Sequence, residues 1–162
     1  MSNPNTSIRE LIFQNVKTII QGIDGNPDYF YSIKAECVNI IHGGVAGAHL
    51  REPYVYIYPN SEISVLGKEE KGKTYKTLGI GIEAWVRSDD NLANMGTNIN
   101  RIYHDIEKAL MADPTRGAYA IDTRIISCDT FLESLDSPKC AVMVLIEIDY
   151  EHDYENPSSL TI

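Results

Sequence analysis

The strictest constraint on the fold of this chain is a run of ten residues near its middle. From Thr77 to Val86, the residues Leu78, Ile80, Ile82, Ala84 and Val86 alternate with Thr77, Gly79, Gly81, Glu83 and Trp85. A repeat of two places successive side chains on opposite faces of an extended strand; a helix would repeat every 3.6 residues. Two glycines and several β-branched residues argue further against a helix. The run matters because of what precedes it. Gly67-Lys68-Glu69-Glu70-Lys71-Gly72-Lys73-Thr74 fits the phosphate-loop pattern G-x-x-x-x-G-K-[ST] letter for letter. Such a loop binds phosphate only when a helix follows, because the first free N–H groups of that helix face the anion. A strand after Thr74 removes that helix. Gly67, Gly72, Lys73 and Thr74 are therefore expected to be a false match, a solvated loop running into a strand. Val142-Met143-Val144-Leu145-Ile146-Glu147-Ile148-Asp149 imitates the apolar strand and acid that hold magnesium in nucleotide hydrolases, and reads more simply as a buried strand. A nucleotide-binding enzyme using residues 67–74 stays as the remote alternative.

Other catalytic constellations are absent from the pattern. Cys37, His42 and His49 lack structural zinc spacing. His104 lies mid-helix and reads as a surface residue, and His152 falls in an acidic tail. No serine sits in a G-x-S-x-G elbow. Glu83, Glu147 and Asp149 are the acids expected on strands, with no spacing that pairs them for proton transfer. The expectation is a non-enzymatic protein with no catalytic residue, metal or cofactor.

The rest of the chain supplies the frame. Ser7-Ile8-Arg9-Glu10 is a capping box opening an amphipathic helix over residues 8–22, with Ile8, Leu11, Ile12, Val16, Ile19, Ile20 and Ile23 at steps of three and four. Gly22 and Asp24-Gly25-Asn26-Pro27 stop it. Tyr29–Ile41 reads as a strand with Tyr31, Ile33, Ala35 and Cys37 on one face. Tyr54–Tyr58 is a short strand between prolines, its three tyrosines on one side. A second helix, capped by Ser88 or Asp89, runs to Met111 and stops at Asp113-Pro114. Residues 120–131 and 140–150 form a closing hairpin. The fold expected is α+β, an antiparallel or mixed sheet with two main helices packed on one face. Residues 7–151 form one domain, between a flexible start (1–6) and an acidic, polar tail (152–162). No run is long enough to span a membrane. Cys37, Cys128 and Cys140 read as small apolar side chains rather than a disulfide framework. The net charge of −9 disfavours tight binding to a nucleic-acid backbone.

Gly79-Ile80-Gly81-Ile82-Glu83-Ala84-Trp85-Val86-Arg87-Ser88-Asp89-Asp90 and the helix after it resemble the centre of tailed-bacteriophage tail terminator, or tail completion, proteins. The layout over about residues 7–151 is similar too. The resemblance implies a virion protein of the tail or neck, in the host cytoplasm during assembly. It implies a hexameric ring that caps the tail tube, with itself, the tube protein and the head–tail connector protein as partners. DNA would pass the lumen without specific binding. A different neck, connector or minor tail protein is the alternative. A ring needs heterologous contacts. An exposed strand edge and the long loops 42–52 and 66–74 are the expected source of some of them, with Lys68, Glu69, Glu70, Lys71, Lys73, His49 and Arg51 as candidate interface residues.

Overall fold

The computed structural model describes residues 6–41, 53–65, 72–87, 92–132 and 139–153. Helix α1 spans Ile8–Gln21 and α2 spans Leu92–Met111. Strands β1 (Val38–Ile40), β2 (Tyr54–Ser64), β3 (Lys73–Arg87), β4 (Asp122–Leu132) and β5 (Lys139–Asp153) form one sheet in the order β1-β2-β3-β5-β4. The β1–β2 pair is parallel and the other three pairs are antiparallel, so the sheet is mixed and the architecture α+β.

The pleat of β3 and β5 sets the core. Leu78 pairs with Ile148, Ile80 with Ile146, Ile82 with Val144, Ala84 with Val142 and Val86 with Cys140. Directly paired residues share a face, so these ten even-numbered side chains form one apolar surface, all of it buried. Val55 and Ile57 of β2 extend it. The same cluster takes in Ile8, Ile12, Phe13, Val16 and Ile20 of α1, and Met95, Ile102, Ile106, Ala109 and Leu110 of α2.

Local chemistry sets the ends of the helices. The Ser7 hydroxyl accepts from the Glu10 N–H at 3.2 Å, forming that half of the capping box. The Gly22 N–H closes α1 onto the Thr18 and Ile19 carbonyls. At the other helix, Arg116 is fully buried and donates from Nε to Thr123 Oγ1 (3.1 Å) and from Nη2 to the Leu110 carbonyl. It thereby satisfies one of the carbonyls that a helix C-terminus leaves open. The chain reaches this position through left-handed backbone at Arg116, Gly117 and Ala118, uncommon for residues with a Cβ. Asp113 holds that turn by accepting from Thr115 N and Oγ1 and from Gly117 N.

Three expectations are corrected. Tyr29–Ile41 is not one strand: Ala35–Cys37 is a 3-10 turn and only Val38–Ile40 pairs with β2. The physical reason is Asp105, fully buried on α2, whose carboxylate accepts from Phe30 N (3.1 and 2.9 Å) and Tyr31 N (2.8 Å). Those amides cannot also serve a ladder. Ala35 is consequently exposed, apart from the buried Ile33 and Cys37. The strand from Tyr54 does not stop at Pro59 but continues to Ser64 through a register shift between Pro59 and Ser61. A bulge is where a sheet tolerates a residue with no N–H. Finally, His152 is not in a tail but buried in β5 opposite Thr74, with Nδ1 2.8 Å from the Asp153 carbonyl. The cap expected at Ser88 or Asp89 lies outside the described residues.

Candidate functional site

The phosphate-loop match meets its test at Gly72. This glycine has φ of 91° and leads straight into β3, which begins at Lys73. Thr74 is paired with His152 and Lys73 with Asp153 in an antiparallel ladder. The Lys73 ammonium lies 3.3 Å from Glu151 Oε1. The backbone N–H groups here serve a ladder, and no helix start follows Thr74 to face a phosphate. Asp149, the acid of the magnesium-strand lookalike, is also committed. Arg124 Nη1 donates to its Oδ2 at 2.6 Å and Thr77 Oγ1 to its Oδ1 at 2.6 Å. The same guanidinium reaches Glu147 Oε2 at 3.5 Å and Asp122 at 3.7 Å. Its hydrogen bond to Asp149 leads the interactions that hold Arg124 above the ordinary arginine range, against a smaller opposing effect of burial. Arg124 did not stand out in the sequence, because only the β4–β5 register brings it beside three acids.

Of the other candidate residues, Gly67, Lys68, Glu69, Glu70, Lys71, His49 and Arg51 lie outside the described residues, as does His42. Cys37 and Cys140 are buried thiols and Cys128 is half-buried. His104 is half-exposed, with Nδ1 3.3 Å from Asp105 Oδ1. Among the described residues no three His, Cys, Asp or Glu side chains are grouped to hold a metal ion, and no helix is long and apolar enough to cross a membrane.

The odd-numbered face of the sheet is a different surface. Its side chains form rows across four strands. Tyr54, Trp85, Ala141 and Phe131 make one row; Tyr56, Glu83, Met143 and Asp129 the next; Tyr58, Gly81, Leu145 and Ser127 the third. Tyr56, Tyr58, Trp85, Ala141, Met143 and Leu145 belong neither to the core cluster nor to the side chains packed against it. They pack on one another. Tyr54 stacks on Trp85 with centroids 6.2 Å apart, and meets Tyr56 edge-on at 5.4 Å. Tyr58 lies over Gly81 and donates its hydroxyl to Met143 Sδ at 2.8 Å. Gly81 is needed there because any Cβ would run into the Tyr58 ring. The Trp85 indole N–H donates to Glu83. Burial and then the Glu83 charge push the Tyr56 and Tyr58 hydroxyls up, so both stay neutral near pH 7. The tyrosine stripe was legible as alternate residues of one strand; the two carboxylates in its second row were not, since they come from β3 and β4.

No protein-family model and no curated protein matches the sequence. Among solved structures, a chain of the "Virion of native gene transfer agent (GTA) particle" is similar at a TM-score of 0.44 and 9% identity, covering 90% of this chain and 96% of that one. A likeness of that size assigns neither fold nor function.

Proposed function

We propose that the chain is a virion structural protein, a tail terminator that forms a ring on the last turn of the tail tube and joins it to the head connector. The observation that carries the reading is the element order. An N-terminal helix, strands, a long strand leading to a second helix, and two closing strands follow one another. Gly79–Arg87, the part of the resembling block that lies among the described residues, falls on β3 directly ahead of α2. The extended backbone at Lys73 and Thr74 supports the reading from the other side, since a phosphate loop would open a helix there. In this reading both helices pack on the even-numbered face and leave the odd-numbered face for neighbours. The protein acts in the virion tail or neck by shape and contact rather than by bond making.

The test is tube length. Tails assembled without this protein are expected to be overlong, because nothing stops polymerisation, and adding the purified chain should restore a defined length. Tubes of normal length that fail to join heads would instead favour a connector component, and unaltered particles would contradict the proposal.

A further inference from the structure

We infer that the aromatic face of the sheet is a contact surface for a second copy of this chain, and that the exposed stripe of α2 is what it receives. The inference names a contact that a ring needs and to that extent rests on the ring reading.

The two surfaces are complementary in charge and shape. In the second row of the face, Glu83 and Asp129 flank Met143. Glu83 accepts from a neutral indole, and Asp129 is exposed. Neither faces a cation in the ion pairs found among the described residues, unlike Glu147 and Asp149, which Arg124 holds. The face is therefore aromatic along β2 and at Trp85, with two carboxylates in its middle row that no ion pair among the described residues holds. The outward side of α2 is its counterpart. Asn94, Thr97, Arg101, His104, Lys108 and Met111 are exposed at steps of three and four. No carboxylate lies on that stripe, although the chain as a whole carries a net charge of −9. Lys108 is shared with Asp28 at 3.2 Å. Arg101 lies 5.3 Å from the centre of the Phe30 ring, and His104 packs edge-on to the same ring. Phe30 is 58% exposed, a large apolar group held in place beside a cation on the protein surface.

The dimensions agree. Three strand spacings and two row spacings make the face roughly 14 Å by 14 Å between outer Cα positions. Arg101 to Lys108 spans about 10 Å of a helix about 10 Å across. An Arg101–Phe30 pair set among tyrosines and a tryptophan gains cation–π contacts as well as the two carboxylates. Each copy offers one surface of each kind, so the contact is head-to-tail and leaves both surfaces used. The patch is smaller than the roughly 800 Å² per partner of a standard stable interface. Association is therefore weak between isolated copies and strengthened where several contacts close together.

The test uses the full chain in sedimentation velocity over a concentration series reaching the millimolar range, at low and high salt. Wild type is expected to show reversible self-association that weakens with salt. Asp129→Arg or Arg101→Asp alone should weaken it about tenfold or more, since each places like charges face to face. The two reversals combined in one chain should recover it. Both residues are exposed, so melting temperature should hold throughout and serves as the folding control. A Leu145→Arg variant, in the third row, should also lose association, since it sets a further cation against the Arg101–Lys108 stripe. A strictly monomeric wild type, single reversals that associate like wild type, or a combined variant that does not recover would each overturn the inference. Tube length reports on the tail reading separately, so either can fail without the other.

Discussion

β3 presents two faces built from the same backbone, and they differ in chemistry. On the even side, Leu78, Ile80, Ile82, Ala84 and Val86 are aliphatic, fully packed, and joined by both helices into one cluster. On the odd side, Gly79, Gly81, Glu83 and Trp85 carry almost no aliphatic bulk. The Tyr58 ring folds across Gly81, while Gly79 is met by Ser61 and Asn60. A face that must be dry on folding is filled with branched hydrocarbon; a face that is stable exposed, yet sheds water readily against a partner, favours rings with a polar end. The difference separates residues that hold the fold from residues available for contact.

The largest expected effect tests the first half of that contrast. Ile82→Ala, in the centre of the even face, should cost about 2–5 kcal/mol in denaturant unfolding, the range for a buried aliphatic truncated to alanine. Leu145→Ala on the odd face should cost about 1 kcal/mol, because its side chain is only half-buried. Equal losses would erase the distinction.

A smaller effect probes how the odd face is held. Gly81→Ala forces the Tyr58 ring to move and should destabilise by about 1–3 kcal/mol. Combining it with Tyr58→Ala should return part of that loss, measured as a double-mutant cycle. Strictly additive losses would mean that the ring and the glycine do not meet.

Protonation gives a third handle, at the far end of the even face. Burial pushes the Glu62 carboxyl up, but the hydrogen bond and charge of Lys76, with Arg9 at 2.9 Å, outweigh it and hold the group below its ordinary value. A carboxylate with a depressed folded pKa adds stability above its unfolded pKa of about 4.3 and loses it as pH falls through the folded value. Glu62→Gln should therefore lower the melting temperature at pH 7 and narrow its gap from wild type in acid. A constant gap down to the acid transition would contradict the assignment. The smallest effect is expected at Lys73→Ala, a surface pair worth about 0–1 kcal/mol. Magnesium nucleotide should leave the wild-type melting temperature unchanged, whereas tight binding would raise it.

Much of this arrangement was legible in the sequence because alternation survives tertiary context when one face is buried. β3 and β5 could be traced from Leu78–Val86 and Val142–Tyr150, and α1 from its capping box. What was not legible depends on distant partners. Asp105 withdraws the Phe30 and Tyr31 amides from any ladder, across about 75 residues of sequence. Nothing near Tyr29 announces it. The strand end at His152 was hidden by acidic neighbours that read as a tail. The candidate face was half visible: Tyr54, Tyr56 and Tyr58 stood out, while Glu83, Met143 and Asp129 become neighbours only through strand register.

If one face of the sheet folds the chain and the other joins it to a second copy, stability and self-association separate by face. Trp85→Ala and Ile82→Ala, each followed in parallel by unfolding and by sedimentation velocity, test it most directly. Trp85→Ala is expected to lose self-association, and Ile82→Ala to lose more stability yet still associate when folded. A Trp85→Ala protein that associates like wild type but unfolds as easily as Ile82→Ala would contradict it.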